Sequence, residues 1–183
     1  MRKWLSALTM VAVAAGLALT GSSVAQATTA SCKVTWGSLE KSSEGYEGAP
    51  TSIVNVRAGR HTCYDRLVVD LAGSNIAGYH VRYVPQVLTQ AKGDALRLRG
   101  GAFLEVVIEA GTNNPNTGAS TYNPRNPNEL VKVRGWRTFR QAAFGGSFEG
   151  YTTIGLGVRA RLPFRVFTLQ NPGRVVIDVA HRW

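Results

Sequence analysis

From residue 66 onward, apolar and polar positions alternate in short runs. In Arg66–Leu71, Leu67, Val69 and Leu71 share one parity, and Val68 and Asp70 take the other. Tyr79–Val84 sets Tyr79, Val81 and Tyr83 against His80, Arg82 and Val84, and Ala95–Arg99 sets Leu96 and Leu98 against Arg97 and Arg99. Phe103–Ile108 is mostly apolar, Leu130–Arg134 alternates again, and Val175–Val179 is the last run. The longest is Val158–Val166, with Val158, Ala160, Leu162, Phe164 and Val166 on one parity and Arg159, Arg161 and Arg165 on the other. Side chains alternate across a strand, so each run predicts a strand with one buried face. Pro163 cannot donate to a ladder, so the longest strand breaks, bulges or lies on an edge there. No segment after residue 30 keeps a 3.6-residue apolar period, which leaves helices out of the expected fold.

Gly100-Gly101, Gly145-Gly146, Gly150 and Pro172-Gly173 punctuate the gaps. Many short strands separated by such turns indicate an all-β sandwich or barrel. Asn113–Asn128 differs: Pro115, Pro124 and Pro127 stand among asparagines without an apolar period, which predicts one long exposed loop. There is also an internal echo. Arg66-Leu-Val-Val-Asp70-Leu-Ala matches Arg174-Val-Val-Ile-Asp178-Val-Ala without gaps. The expectation is that the two strands occupy equivalent places in two halves of a sandwich. Residues four apart share a strand face, so Arg66 and Asp70, and Arg174 and Asp178, suit strand-end ion pairs or a ligand role.

The N-terminus changes the setting. Arg2 and Lys3 precede an uncharged, mostly apolar run from Leu5 to Leu19, and Ala25-Gln26-Ala27 supplies small residues for cleavage. Together these predict a secretory signal peptide over 1–27 and a mature domain over 28–183. The apolar run is shorter than the ~20 residues that span a bilayer, so no membrane span is expected. Leu19-Thr20-Gly21-Ser22 has serine where a lipoprotein box carries cysteine, so a released or wall-associated protein without a lipid anchor is expected. In an exported chain the pair Cys32 and Cys63 reads as a disulfide, worth roughly 3–4 kcal/mol in the chain-entropy model. The formal net charge is +10, two of those cations lying in the leader. Outside the cell such a charge suits anionic wall polymers, acidic glycans or lipid headgroups better than nucleic acid.

Several strings together resemble a known family. They are Trp36-Gly-Ser-Leu39, Val56-Arg-Ala-Gly-Arg-His61 leading into Cys63 to Asp70, Tyr79 to Val84, Leu98-Arg-Gly-Gly-Ala102, and Gly135-Trp-Arg-Thr-Phe-Arg140. Gly146 to Gly150, Gly155 to Val166 and Val175 to His181 complete the set. The strands with Arg, Val and Asp at fixed offsets are similar to those of AMIN domains, the targeting modules of bacterial cell-wall amidases. Over the whole segment from about Cys32 to Trp183 the chain more closely resembles the actinobacterial AMIN-like domain of short secreted proteins and lipoproteins. The resemblance implies a β-sandwich of two related antiparallel sheets, peptidoglycan binding and envelope targeting without catalysis.

The chemistry in the chain is that of a binder. His61, His80 and His181 show no metal-ligand spacing, no nucleophile elbow occurs, and Gly155-Leu156-Gly157 is no dinucleotide fingerprint. No metal or cofactor is expected. The enzymatic alternative is a small hydrolase using His61 with Asp65, or Asp70 and Asp178 as paired carboxylates. Arg159, Arg161 and Arg165 on one strand face, with Arg137 and Arg140 beside Trp136, can pair bidentately with carboxylates or phosphates. Peptidoglycan stems carry the former and teichoic acids the latter. Trp136, Tyr122 and Tyr151 can stack on sugars, Tyr122 being the aromatic least suited to the core. The competing reading of the arginine stripe is a solvated charged face. The remaining partner class is an envelope protein docked on the exposed sheet face or the Asn113–Asn128 loop.

Overall fold

A computed structural model describes residues 32–45, 51–74 and 76–183. The predicted leader, its cleavage site and Ser22 lie outside the described residues. Among the described residues nine strands follow in order: β1 Lys41–Ser43, β2 Ile53–Arg60, β3 Tyr64–Leu71, β4 Tyr79–Val84, β5 Ala102–Ile108, β6 Phe139–Phe148, β7 Tyr151–Val158, β8 Phe164–Leu169 and β9 Arg174–Ala180. They form a five-stranded sheet, β1-β4-β5-β7-β6, and a four-stranded sheet, β2-β3-β9-β8, with every pairing antiparallel. The all-β sandwich expected from the alternating runs is the fold.

The buried parity of each strand makes the core. Leu67 and Val69 of β3, Ile177 of β9 and Phe164 of β8 meet Leu104 and Val106 of β5 and Leu156 of β7, all without exposed surface. Each such aliphatic or aromatic side chain contributes about 1.5–3 kcal/mol by leaving water. Cys32 and Cys63 form the predicted disulfide, which ties the N-terminal segment to the turn between β2 and β3.

Three strand expectations are corrected. Val158–Val166 is not one strand: β7 ends at Val158 and β8 starts at Phe164, so residues 159–163 are a corner carrying the chain between sheets. Pro163 lies at that break. Ala95–Arg99 and Leu130–Arg134 form no strand. Leu96 and Leu98 instead lie across the outer face of β7, where a Cβ on Gly155 would come within 2.8 Å of Leu98. A Cβ on Gly157 would come within 2.0 Å of the Arg99 carbonyl. The glycines admit a covering segment whose alternation imitates a strand. Residues 126–130 similarly cover the edge of β6: Phe144 N donates to Pro127 O at 2.6 Å and Leu130 N to Ala142 O at 2.8 Å. An unpaired edge is thereby closed.

The echo is also placed differently. β3 and β9 are neighbours in one sheet, not equivalents in two. Their antiparallel register sets Arg66 opposite Asp178 and Asp70 opposite Arg174, so the repeated offset brings each acid to the other strand's arginine.

Candidate functional site

Two polar surfaces gather the residues singled out above. The first is the outer face of the four-stranded sheet. Register places Arg66, Asp178 and Arg165 in one cross-strand row and Val68, Val176 and Phe167 in the next. Asp178 is fully buried under these side chains. It accepts from Arg66 Nε at 2.6 Å and Nη2 at 2.9 Å, and from Arg165 Nε at 2.8 Å. Aromatic rings frame the guanidinium groups. Arg165 lies 4.5 Å from the Trp36 ring centroid and 5.2 Å from that of Phe167, and Arg66 lies 5.2 Å from that of Tyr64. A cation over an aromatic face is attracted by the ring quadrupole. At the other end of β3, Asp70 pairs with Arg57 rather than Arg174, through Nε at 2.9 Å and Nη2 at 3.0 Å. The Asp178 hydrogen bonds raise the pKa of Arg66, and the Asp70 hydrogen bonds that of Arg57. Arg66, Asp70 and Asp178 thus make ion pairs within the sheet. Arg174 turns instead to Pro172 O at 3.1 Å.

The second surface is the end of the sandwich where β2, β7 and β9 finish and β6 begins. Trp136 stacks on Phe139 at 6.1 Å, and Arg60 lies 5.8 Å from the Trp136 ring. Arg140 Nη1 donates to Trp136 O at 2.8 Å and Phe139 O at 3.0 Å, so its guanidinium closes the turn entering β6. Arg99 joins through Arg140 O at 3.1 Å and pairs with Glu129. Arg159 N donates to Thr138 O at 2.9 Å, and its guanidinium to His181 O. Arg137 is exposed, as are Arg60, Arg99 and Arg159. Two acids come to this end: Glu129, paired with Arg99, and the buried Asp65, whose Oδ2 accepts from Thr138 N at 2.8 Å and Phe139 N at 3.0 Å.

The proposed arginine stripe therefore does not exist as one strand face. Arg165 belongs to the sheet face and Arg159 to the basic end. Arg161, in the corner, donates to Ser38 O at 3.1 Å and covers the Tyr83 ring at 5.0 Å. Arg159 joins Arg137, Arg140 and Trp136, which were grouped separately in sequence. Tyr122 is a correction. It is half-buried against the core, 6.2 Å from the Phe144 ring, and burial pushes its phenol up to about 12. Tyr151 is exposed, opposite the equally exposed Phe148 at the tip of the β6–β7 hairpin. Sequence reasoning gave no role to Arg60, Tyr64 or Phe167. An arginine ending β2 and an aromatic two residues before Arg66 were the available signals.

Neither catalytic arrangement weighed above is assembled. The His61 ring stacks on Tyr64 at 4.4 Å. The histidine nearest Asp65 is His181, at 3.9 Å, held by Thr138 Oγ1 at 3.0 Å and His61 O at 3.0 Å. Asp70 and Asp178 are neither across sheets nor in a cleft. Their register separates them by four residues, roughly 13 Å of strand, and each is engaged by arginine. No group of three or more potential metal ligands occurs among the described residues. No helix among them is long and apolar enough to cross a membrane.

A family model for the AMIN-like domain matches residues 51–181. No curated protein and no solved structure matches the chain.

Proposed function

Because the chain belongs to the AMIN-like domain family, we propose that it is a non-catalytic module of the cell envelope that holds anionic wall polymer at its basic end. AMIN-like domains are typically non-catalytic targeting modules of the cell-wall amidase kind. The family and the Cys32–Cys63 disulfide point to an extracytoplasmic envelope protein. A signal peptide over 1–27 supplies export in this reading.

The observation that carries the ligand assignment is the gathering of Arg60, Arg99, Arg137, Arg140 and Arg159 about the turn that holds Trp136. Guanidinium groups on a rigid turn offer forked donors to carboxylates and phosphates. Arg140 and Arg159 are anchored by backbone carbonyls, so they supply fixed charge, and the exposed Arg60 and Arg137 supply the contacts. The sheet-face arginines are a weaker candidate, because Asp178 and Asp70 already neutralise them.

The test is co-sedimentation of the purified protein with sacculi, with and without teichoic acid, across a salt series. Exposed charges are strongly screened beyond about 10 Å at 0.1 M salt. Binding that weakens with salt fits capture at the basic end. Its dependence on teichoic acid distinguishes phosphate from peptidoglycan carboxylate. Absence of binding to either preparation would reject the proposal in favour of a protein partner.

A further inference from the structure

The opposite end of the sandwich carries a cleft of about 470 Å³ between the segment after β5 and the β6–β7 hairpin. Glu109, Thr112, Asn114, Ser147, Phe148 and Glu149 are among its lining residues, and no lysine or arginine lines it among the described residues. We infer that this cleft binds a neutral saccharide, through its carboxylate and carboxamide groups and the exposed Phe148 of its lining, with Tyr151 opposite Phe148 in the hairpin.

Three features support that ligand class. The first is size and lining. The volume lies within the roughly 300–1,000 Å³ of small-molecule sites, and the mostly polar lining offers hydrogen-bonding groups that suit a hydroxyl-rich ligand. Glu149 can accept hydroxyl hydrogens, and Glu109, whose Oε2 accepts from Gly45 N at 3.2 Å, offers its other oxygen. The Asn114 oxygen accepts from Asn116 N at 2.9 Å and Thr117 N at 3.1 Å, which directs its NH2 away from the turn as a donor. A cleft with two carboxylates and no cation repels the polymer that suits the basic end.

The second feature is the hairpin. Phe148 and Tyr151 are directly opposite each other across the hairpin and are 49% and 45% exposed. A pyranose ring has an apolar C–H face that such rings can cover, leaving its hydroxyls for the cleft.

The third is preorganisation. Thr152 Oγ1 donates to Ala110 O at 2.7 Å and lies 3.0 Å from Ser147 Oγ, fastening the hairpin to the end of β5. Ile53 N donates to Gly111 O at 2.8 Å, fixing the opposite wall. Glu149 adopts φ = 49°, a backbone state uncommon for a non-glycine residue. A preformed site loses less conformational freedom on binding.

An amino-sugar glycan is the appropriate probe only because the cleft is read together with the envelope proposal above. The experiment titrates the full protein with the neutral tetramer of N-acetylglucosamine, observed by amide NMR, beside its cationic, deacetylated form. The expected result is millimolar or tighter binding of the neutral tetramer, unaffected by salt, with shifts at Asn113–Pro115 and Phe148–Tyr151. Tyr151→Ala and Phe148→Ala should each weaken it about tenfold while retaining a dispersed native spectrum, and Glu149→Gln should weaken it with both rings intact. Binding of the cationic tetramer alone, lost in high salt, would overturn the saccharide assignment, as would shifts confined to the Trp136 end or none at all. Retained sacculus binding with a silent cleft would reject this site alone. Tetramer binding without sacculus binding would reject the basic-end proposal alone.

Discussion

Replacing Asp178 by Asn removes the charge that holds two arginines on the outer sheet face. Asp178 is fully buried and accepts three charge-assisted hydrogen bonds. Each such bond contributes about 1.5–3 kcal/mol. Asn keeps one acceptor for Arg66 and turns an NH2 toward a second arginine donor. Breaking a fully buried pair costs about 3–5 kcal/mol. Here the side chains of Arg66 and Arg165 are 24% and 40% exposed, so water relieves part of the loss. The expected destabilisation is about 2–4 kcal/mol, a fall in Tm of roughly 4–16 °C for a domain of this size. Thermal unfolding followed by circular dichroism measures it. A double-mutant cycle of D178N with Arg165→Met should return a coupling of at least about 1 kcal/mol. A Tm change under about 2 °C, or additive single mutants, would refute the view that this triad stabilises the sheet.

Three further outcomes follow from the packing. Gly157→Ala places a Cβ 2.0 Å from the Arg99 carbonyl, so the covering segment must lift, at a cost of about 1–3 kcal/mol in urea unfolding. Reducing the Cys32–Cys63 bridge removes a constraint with sequence separation 31, and should lower stability by about 2–4 kcal/mol in paired melts with and without reductant. Burial holds the Tyr122 phenol at about 12 against an ordinary 10.0. Its contribution is therefore complete below pH 10 and is lost between about pH 10 and 12, where the unfolded chain releases the proton first. Tyr122→Phe should flatten that part of the stability profile, and an ultraviolet phenolate titration that assigns Tyr122 an ordinary value would contradict it.

The core was legible because burial on one side of a strand imposes a period of two. Leu67, Val69 and Leu71 were read from that alternation and are buried. The same signal misled at Leu96 and Leu98, since a segment lying over glycines also alternates between contact and solvent. The echo of Arg66–Asp70 with Arg174–Asp178 carried true information about pairing. Its meaning depended on direction: only an antiparallel register crosses each arginine with the other strand's acid. The basic end was partly visible in Trp136, Arg137 and Arg140. Arg60 and Arg159 join them through long-range strand order, which no local pattern contains. Tyr122 was misjudged because its Asn- and Pro-rich surroundings mark a loop, although that loop returns to pack on Phe144.

Sacculus binding by Arg60→Ala/Arg137→Ala, beside Lys92→Ala/Arg125→Ala as an equal loss of exposed charge elsewhere, tests the central claim most directly. Arg60 and Arg137 are exposed and hold none of the core, so both double variants should melt as the parent does. Loss of about tenfold in affinity for the first pair, with the second close to the parent, is the predicted result. Equal affinities for the two pairs would contradict recognition at the basic end.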